Sequence, residues 1–257
     1  MSPPVRDWDA DTYHRVSGPQ VAMSAPVLDR LELCGDETVL DAGCGSGRVT
    51  RLLLERLPRG RVIAVDGSPD MVARAREELA GEPVDVRLAD LAQLRLGDGE
   101  HVDAVFSNAT FHWIADHDAL FERLAAALRP GGRISAQCGG EGNVAAVHET
   151  AMRAAADAGL GARFEGWPRP WNFAGVEQTE RRLRAAGFED ISCWLQPWPV
   201  EPDEPRAYLE KVCLGPHLER LQADERNRFL DAVLERLGTP ATLDYVRLNI
   251  VAVRSAT

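Results

Sequence analysis

The stretch Val39–Gly47, VLDAGCGSG, puts three glycines and one carboxylate where a short apolar run gives way to a helical pattern. Gly43, Gly45 and Gly47 allow a tight turn and a close backbone approach to a ligand. Asp41 stands two residues before the first of them. A carboxylate facing a pyrophosphate is repulsive by about 1 kcal/mol or more at 4 Å, whereas the same charge attracts an ammonium group. The dinucleotide fingerprint G-x-G-x-x-G needs its third glycine one residue later, where this chain has Arg48. The spacing therefore disfavours a nicotinamide oxidoreductase. Asp66 ends the next apolar run, 19 residues past Gly47, the usual place for an acid that takes a ribose diol. Turn and acids together describe a ligand with a ribose, a cationic centre and no diphosphate, and S-adenosylmethionine meets that description. Plainer roles also fit each acid alone: Asp41 as a capping acid, Asp66 as a turn former.

The elements that must position these residues alternate in type. Thr38–Ala42, Arg61–Val65, Val84–Leu88, Val102–Ser107 and Arg133–Cys138 read as buried strands. Ser46–Leu57, Ser68–Leu79 and Ala119–Leu128 read as helices between them, the second opened by Ser68 as N-cap and Pro69 at the first helical position. Such alternation predicts a parallel sheet with helices on both faces. The second half changes character. Asn143–Gly159 and Val176–Ala186 read as helices, Arg163–Phe173 (RFEGWPRPWNF) as an aromatic loop, Asp190–Gln196 as a strand, Arg206–Leu237 as largely helical and Leu243–Val253 as a closing strand. No linker separates a second domain.

The chain has 257 residues, with 29 basic against 40 acidic ones, a net charge of −11. That balance argues against a nucleic-acid or anionic-membrane partner, both of which need a basic surface. No apolar run approaches the roughly 18 residues that span a bilayer, and MSPPVRDWDADTYHRV lacks a signal-peptide core, so a cytoplasmic location is expected. Cys34, Cys44, Cys138, Cys193 and Cys213 form no C-x-x-C pair, so buried free thiols are expected, with neither a metal site nor disulfides.

Five segments, VLDAGCGSG, the acid of AVDGS (Ala64–Ser68), ADL (Ala89–Leu91), VDAVFSNATFHW (Val102–Trp113) and LRPGGR (Leu128–Arg133), resemble in order the class I methyltransferases that use S-adenosylmethionine. Through WDADTYHRVSGPQ (8–20) and NATFHWIADH (108–117) the chain looks most similar to the trans-aconitate methyltransferase group. The resemblance implies an α/β fold: a three-layer, Rossmann-like, seven-stranded sheet with helical lid insertions and a last antiparallel edge pair. It implies one domain over 1–257, with an N-terminal lid at 1–35, a cofactor core at 36–140, substrate-side insertions at 141–175 and 197–240, and a C-terminal strand at 241–257. By the same resemblance Asp41, Gly43 and Gly45 lie under the methionine part of the cofactor. Asp66 takes the ribose, flanked by Gly67 and Ser68, and Met71 packs on the adenine. Asp90 accepts from the adenine amino group and Leu91 donates a backbone contact, Ser107 and Asn108 line the methionine side, and Tyr13 and Gln20 touch its amino-acid end. Core packing is the alternative for Met71 and Leu91.

Methyl transfer is an in-line displacement, so alignment and exclusion of water matter most. A carboxylate acceptor is already ionised at neutral pH; a phenol is not, and there a general base contributes about 10²–10⁴-fold. His112 is the candidate catalytic base, with a positioning role as the alternative. The group resembled often carries glutamine at that place, so this histidine puts an identical substrate in doubt. His101, His117, His148 and His217 read as surface residues or helix ends. Trp113, Arg163, Trp167 and Trp171 are the candidate substrate contacts, with Phe164, Phe173 and Arg169 beside them and Trp194 and Trp198 further candidates. The expected function is methyl transfer from S-adenosylmethionine to a small molecule at oxygen, carboxylate or hydroxyl, releasing S-adenosylhomocysteine, by a monomer or homodimer. The rivals are an N- or C-methyltransferase of specialised metabolism and a non-catalytic binder of the same cofactor.

Overall fold

A computed structural model describes residues 18–256; Tyr13 lies outside the described residues, as does the side chain of Gln20. Within them, seven strands form one sheet in the order β3-β2-β1-β4-β5-β7-β6. The strands are β1 (Thr38–Ala42), β2 (Arg61–Asp66), β3 (Val84–Leu88), β4 (Val102–Asn108), β5 (Leu128–Gly139), β6 (Phe188–Pro197) and β7 (Val246–Arg254). β1 to β5 run parallel, and β7 pairs antiparallel with both β5 and β6. β5 starts five residues before the expected Arg133, taking in the turn Pro130-Gly131-Gly132.

The helices are α1 (Gly18–Asp29), α2 (Arg48–Glu55), α3 (Pro69–Glu78), α4 (His117–Ala127), α5 (Ala145–Asp157), α6 (Val176–Ala185) and α7 (Ala223–Leu237). Side chains alternate across a strand, so β1, β2 and β4 each feed two cores. Val39, Val62, Ala64, Ala104 and Phe106 face Val27 and Leu31 of the α1 side, Leu53 of α2 and Ala75 of α3. Leu40, Ile63, Val65 and Val105 face Leu120, Phe121 and Leu124 of α4 and Leu183 of α6. The helix termini carry their own stops: Ser68 Oγ accepts from the Met71 N–H at 3.3 Å, and Asp116 accepts from the Ala119 N–H.

A third core lies over the carboxyl ends of the strands. It joins Val147 and Ala151 of α5 to Phe229 and Val233 of α7 and to Tyr208, Leu209 and Leu214. The last three belong to a broken helical run, Pro205–Tyr208 and Gly215–Leu218 joined by a π-turn at Leu209–Cys213. The strand order reverses between β1 and β4, which places a crevice at their carboxyl ends. Among the described residues no helix is long and apolar enough to cross a membrane.

Candidate active site

The crevice is lined by Asp41, Gly43, Cys44, Gly45, Arg48 and Asn108, with Val21 of α1 as part of its cover. Gly43 has φ 92°, and a Cβ there would lie 2.1 Å from Thr110 Oγ1, so no other residue fits. Its N–H and that of Cys44 donate to the Val65 carbonyl, which fastens the turn to the end of β2. Asp41 is buried and accepts from Thr50 Oγ1 at 2.6 Å. Burial, opposed by that hydroxyl and reinforced by the charge of Asp66, pushes its pKa up to about 7. A carboxylate made this costly to ionise is one that a cationic ligand stabilises.

Asp66 accepts from the Gly45 N–H on Oδ2 and from the Ser68 N–H on Oδ1, both at 2.9 Å. Asp66 thus forms the turn, and each carboxylate oxygen keeps a second lone pair for a further donor. Burial raises its pKa against those backbone donors. Gly67 sits half-buried beside it. The other expected cofactor contacts divide. Asp90 accepts from the Ala92 N–H and from Gln93 Nε2, closing the turn after β3. Leu91 lies in the core under α4, and Met71 is buried on α3. Ser107 Oγ donates to the Ala42 carbonyl at 2.6 Å and ties β4 to β1 rather than lining the crevice.

The chain has relatives in sequence and in fold. A methyltransferase-domain family matches residues 40–136. The trans-aconitate 2-methyltransferase of Acidovorax ebreus (strain TPSY) is 30% identical over 271 residues, covering 98% of this chain and 100% of that one. That of Klebsiella pneumoniae (strain 342) is 31% identical over 245 residues, covering 90% and 88%. The chain belongs to the class I S-adenosylmethionine-dependent methyltransferases. In fold, the methyltransferase matches the mycolic acid cyclopropane synthase CmaA1 complexed with S-adenosylhomocysteine, with a TM-score of 0.65 at 16% identity over 99% of both chains. It also matches the Haemonchus contortus phosphoethanolamine N-methyltransferase 2 in complex with S-adenosylmethionine, with a TM-score of 0.63 at 20% identity, over 96% of this chain and 56% of that one. The enzyme uses S-adenosylmethionine, and the residues present fit it: a glycine turn in which Gly43 has no room for a Cβ, and a buried carboxylate for an ammonium group.

A second cleft in the methyltransferase adjoins the first, and Ala109 lines both. Ala109 follows β4 with φ 59°, a left-handed conformation uncommon outside glycine. Beyond it stand His112, Trp113, His148, Trp171, Phe173 and Arg247. Planar rings cluster there: His112 stacks on Phe173 at 5.7 Å, and Phe173, Trp171 and His148 stand 6.0, 4.6 and 6.2 Å from one another. The aromatic loop is latched to the His112 segment, because the Asn172 N–H donates to the His112 carbonyl and Asn172 Nδ2 to that of Ala115.

Several sequence expectations are corrected in this methyltransferase. Arg163 does not line the cleft; its guanidinium pairs with Glu225 at 3.0 Å, the acid that also closes the capping box of α7. Trp167 and Phe164 pack behind Trp171 in the third core instead of facing the cleft. Trp194 lies under the Arg30 guanidinium, and Trp198 packs on the third core. His101 is exposed and His117 opens α4, as expected of surface residues and helix ends, but His117, His148 and His217 are all buried, because the helices that carry them turn those faces inward. Cys34 is exposed, unlike the buried thiols expected. The residues that sequence reasoning missed are Arg247, Ala109 and the inward placement of His148. For Arg247 a signal existed: a cation inside a strand whose neighbours Leu248, Ile250 and Ala252 are apolar.

Proposed function

We propose that this methyltransferase esterifies a carboxylate of a small molecule. The observation that carries the reading is the state of His112. The Gly139 N–H donates to its Nδ1 at 3.3 Å, and burial holds its pKa well below the usual imidazole range. A neutral imidazole whose Nδ1 accepts carries its proton on Nε2. Nε2 is then a donor, and the ring has no lone pair left to act as a base. A phenol or ammonium acceptor needs a base; a carboxylate does not. The acceptor named for the relatives, trans-aconitate, is a carboxylic acid, which supports the same class.

The placement of the residues supports the following roles. Asp41 takes the ammonium of the cofactor, and Gly43 and Gly45 let its methionine part lie on the backbone. Asp66 accepts from the ribose hydroxyls through its remaining lone pairs. Asp90, Leu91 and Met71 bound the adenine side, and Ser107 supports Asn108 at the methionine side. Trp113 and Trp171 wall the acceptor, and His112 Nε2–H orients one acceptor oxygen. The cofactor supplies a methyl group: the other oxygen forms the O–CH₃ bond as the S–CH₃ bond breaks and its electron pair returns to sulfur.

No proton moves in that balance, whereas a hydroxyl or ammonium acceptor releases one proton per methyl. Turnover in weak buffer with an indicator dye counts them. The expected result is product without acidification. One proton released per product molecule contradicts the reading.

A further inference from the structure

Resting on that reading, we infer that the acceptor also carries a hydroxyl group, which hydrogen-bonds to the imidazole of His148 on the Trp171 wall of the second cleft. His148 lies in the first turn of α5 and lines the cleft, with Trp171 stacked on it at 4.6 Å. It is 3% exposed; His217 behind it, 5.3 Å away between ring centroids, is 2% exposed. Yet His148 Nε2 and His217 Nδ1 are buried and meet no hydrogen-bond partner among the described residues. The other polar side chains of the cleft are engaged. The Gly139 N–H donates to His112 Nδ1, the Val246 N–H to Asn143 Oδ1 and Arg247 Nε to Gln137 Oε1, while the Tyr245 hydroxyl pairs with Tyr208 and Cys213. A buried polar group left unpaired loses its hydration without return, so these two nitrogens point to a ligand atom.

The protonation of the pair decides the class. Burial lowers His148 to about 4, with the exposed Arg169 lowering it further and Asp244 opposing. Asp244 is itself taken up by the start of α5, where the Ala146 and Val147 N–H groups donate to its carboxylate. Burial first, then His148 and Arg169, lower His217 to about 3. Both imidazoles are therefore neutral near pH 7, each with one N–H and one lone pair. A hydroxyl both donates and accepts, so it pairs with His148 Nε2 in either tautomer. A carboxylate or ether oxygen only accepts and an ammonium only donates, so each pairs in one tautomer alone. Between two neutral imidazoles a hydroxyl also does both at once, donating to one ring and accepting from the other. Phe173 stacks against His112 at 5.7 Å and against His148 at 6.2 Å, so one ring reaches from the reacting carboxylate to the hydroxyl. The body that joins the two groups is then about one aromatic ring long, and Phe173 and Trp171, 8° from parallel, offer flat faces to it.

The test is calorimetric titration of the full-length enzyme, loaded with S-adenosylhomocysteine, with benzoate, 3-hydroxybenzoate and 4-hydroxybenzoate. At least one hydroxy acid is expected to bind about tenfold or more tightly than benzoate. His148→Phe keeps a stacked ring and loses both nitrogens, and there the preference falls below about threefold. His148→Gln, whose amide still donates and accepts, keeps more of it. No preference for either hydroxy acid in the parent enzyme, the outcome if water alone meets the two nitrogens, overturns the inference. So does a preference that persists undiminished in folded His148→Phe or is lost equally in both variants. Methyl transfer to the same acids separates this failure from failure of the carboxylate reading. If a hydroxy acid is preferred through His148 but no methyl ester forms, the hydroxyl contact stands and esterification falls. If benzoate binds as tightly as the hydroxy acids and is esterified as fast, esterification stands and the hydroxyl contact falls.

Discussion

Replacing His112 by leucine lowers kcat/KM for the acceptor by about 10- to 150-fold, while His112→Gln stays within about tenfold of the parent enzyme. The first figure is the loss of one hydrogen bond to a charged group, about 1.5–3 kcal/mol. The second follows because a glutamine amide can donate where His112 Nε2–H donates, yet cannot accept a proton. The Gly139 N–H on Nδ1 makes the distinction sharp, since it leaves the imidazole no basic nitrogen near its normal pKa. A general base would behave otherwise: both variants would lose about 10²–10⁴-fold. The rate at saturating cofactor also separates the two. It stays flat from about pH 6 to pH 9 when a carboxylate attacks unaided, and climbs through a base's pKa when one is required. Steady-state kinetics on the two variants and a pH profile of the parent check all of this.

Cofactor affinity rises about tenfold per pH unit up to about pH 7 and then levels, and Asp41→Asn abolishes the rise. In the free enzyme Asp41 has a pKa of about 7, raised chiefly by burial. An ammonium group beside it favours the charged form and lowers that value. Binding below pH 7 must therefore expel a proton, about one per cofactor at pH 6, and the affinity falls with falling pH by the same linkage. Above pH 7 the carboxylate is already ionised and no proton is released by it. Asp41→Asn removes the charge and costs about 1.5–3 kcal/mol of binding at pH 8, the value of a hydrogen bond between charged groups. Calorimetric titration with S-adenosylhomocysteine in buffers of different ionisation enthalpy reads the proton directly. Proton release that persists in Asp41→Asn would assign it to another group.

The cofactor half of the site was legible because it is local. A buried strand, three glycines and two acids at fixed spacing leave few ways to fold, and Gly43, with φ 92° and Thr110 against it, shows why the glycine is obligatory. The Ser68 cap and Pro69 start of α3 were legible for the same reason, since both act within one helical turn. The acceptor half is assembled from β4, β5, β7, α5 and the 163–173 loop, and such long-range assembly leaves little trace in local pattern. His148 and His217 look polar in sequence, yet they stand buried in a cluster of rings that only tertiary packing brings together. Arg163 shows the converse. It sits among aromatics in sequence, but Glu225, 62 residues away, takes its charge. Arg247 became meaningful only once β7 was seen inserted beside β5, opposite Gly139.

Transfer of a radiolabelled methyl group to a panel of carboxylic acids, phenols and amines, followed by mild base, tests the esterification claim most directly. Base hydrolyses a methyl ester to methanol, so the account predicts volatile label from carboxylic acid acceptors and none from the others. Label that survives base, on a phenol, an amine or a carbon atom, would contradict it.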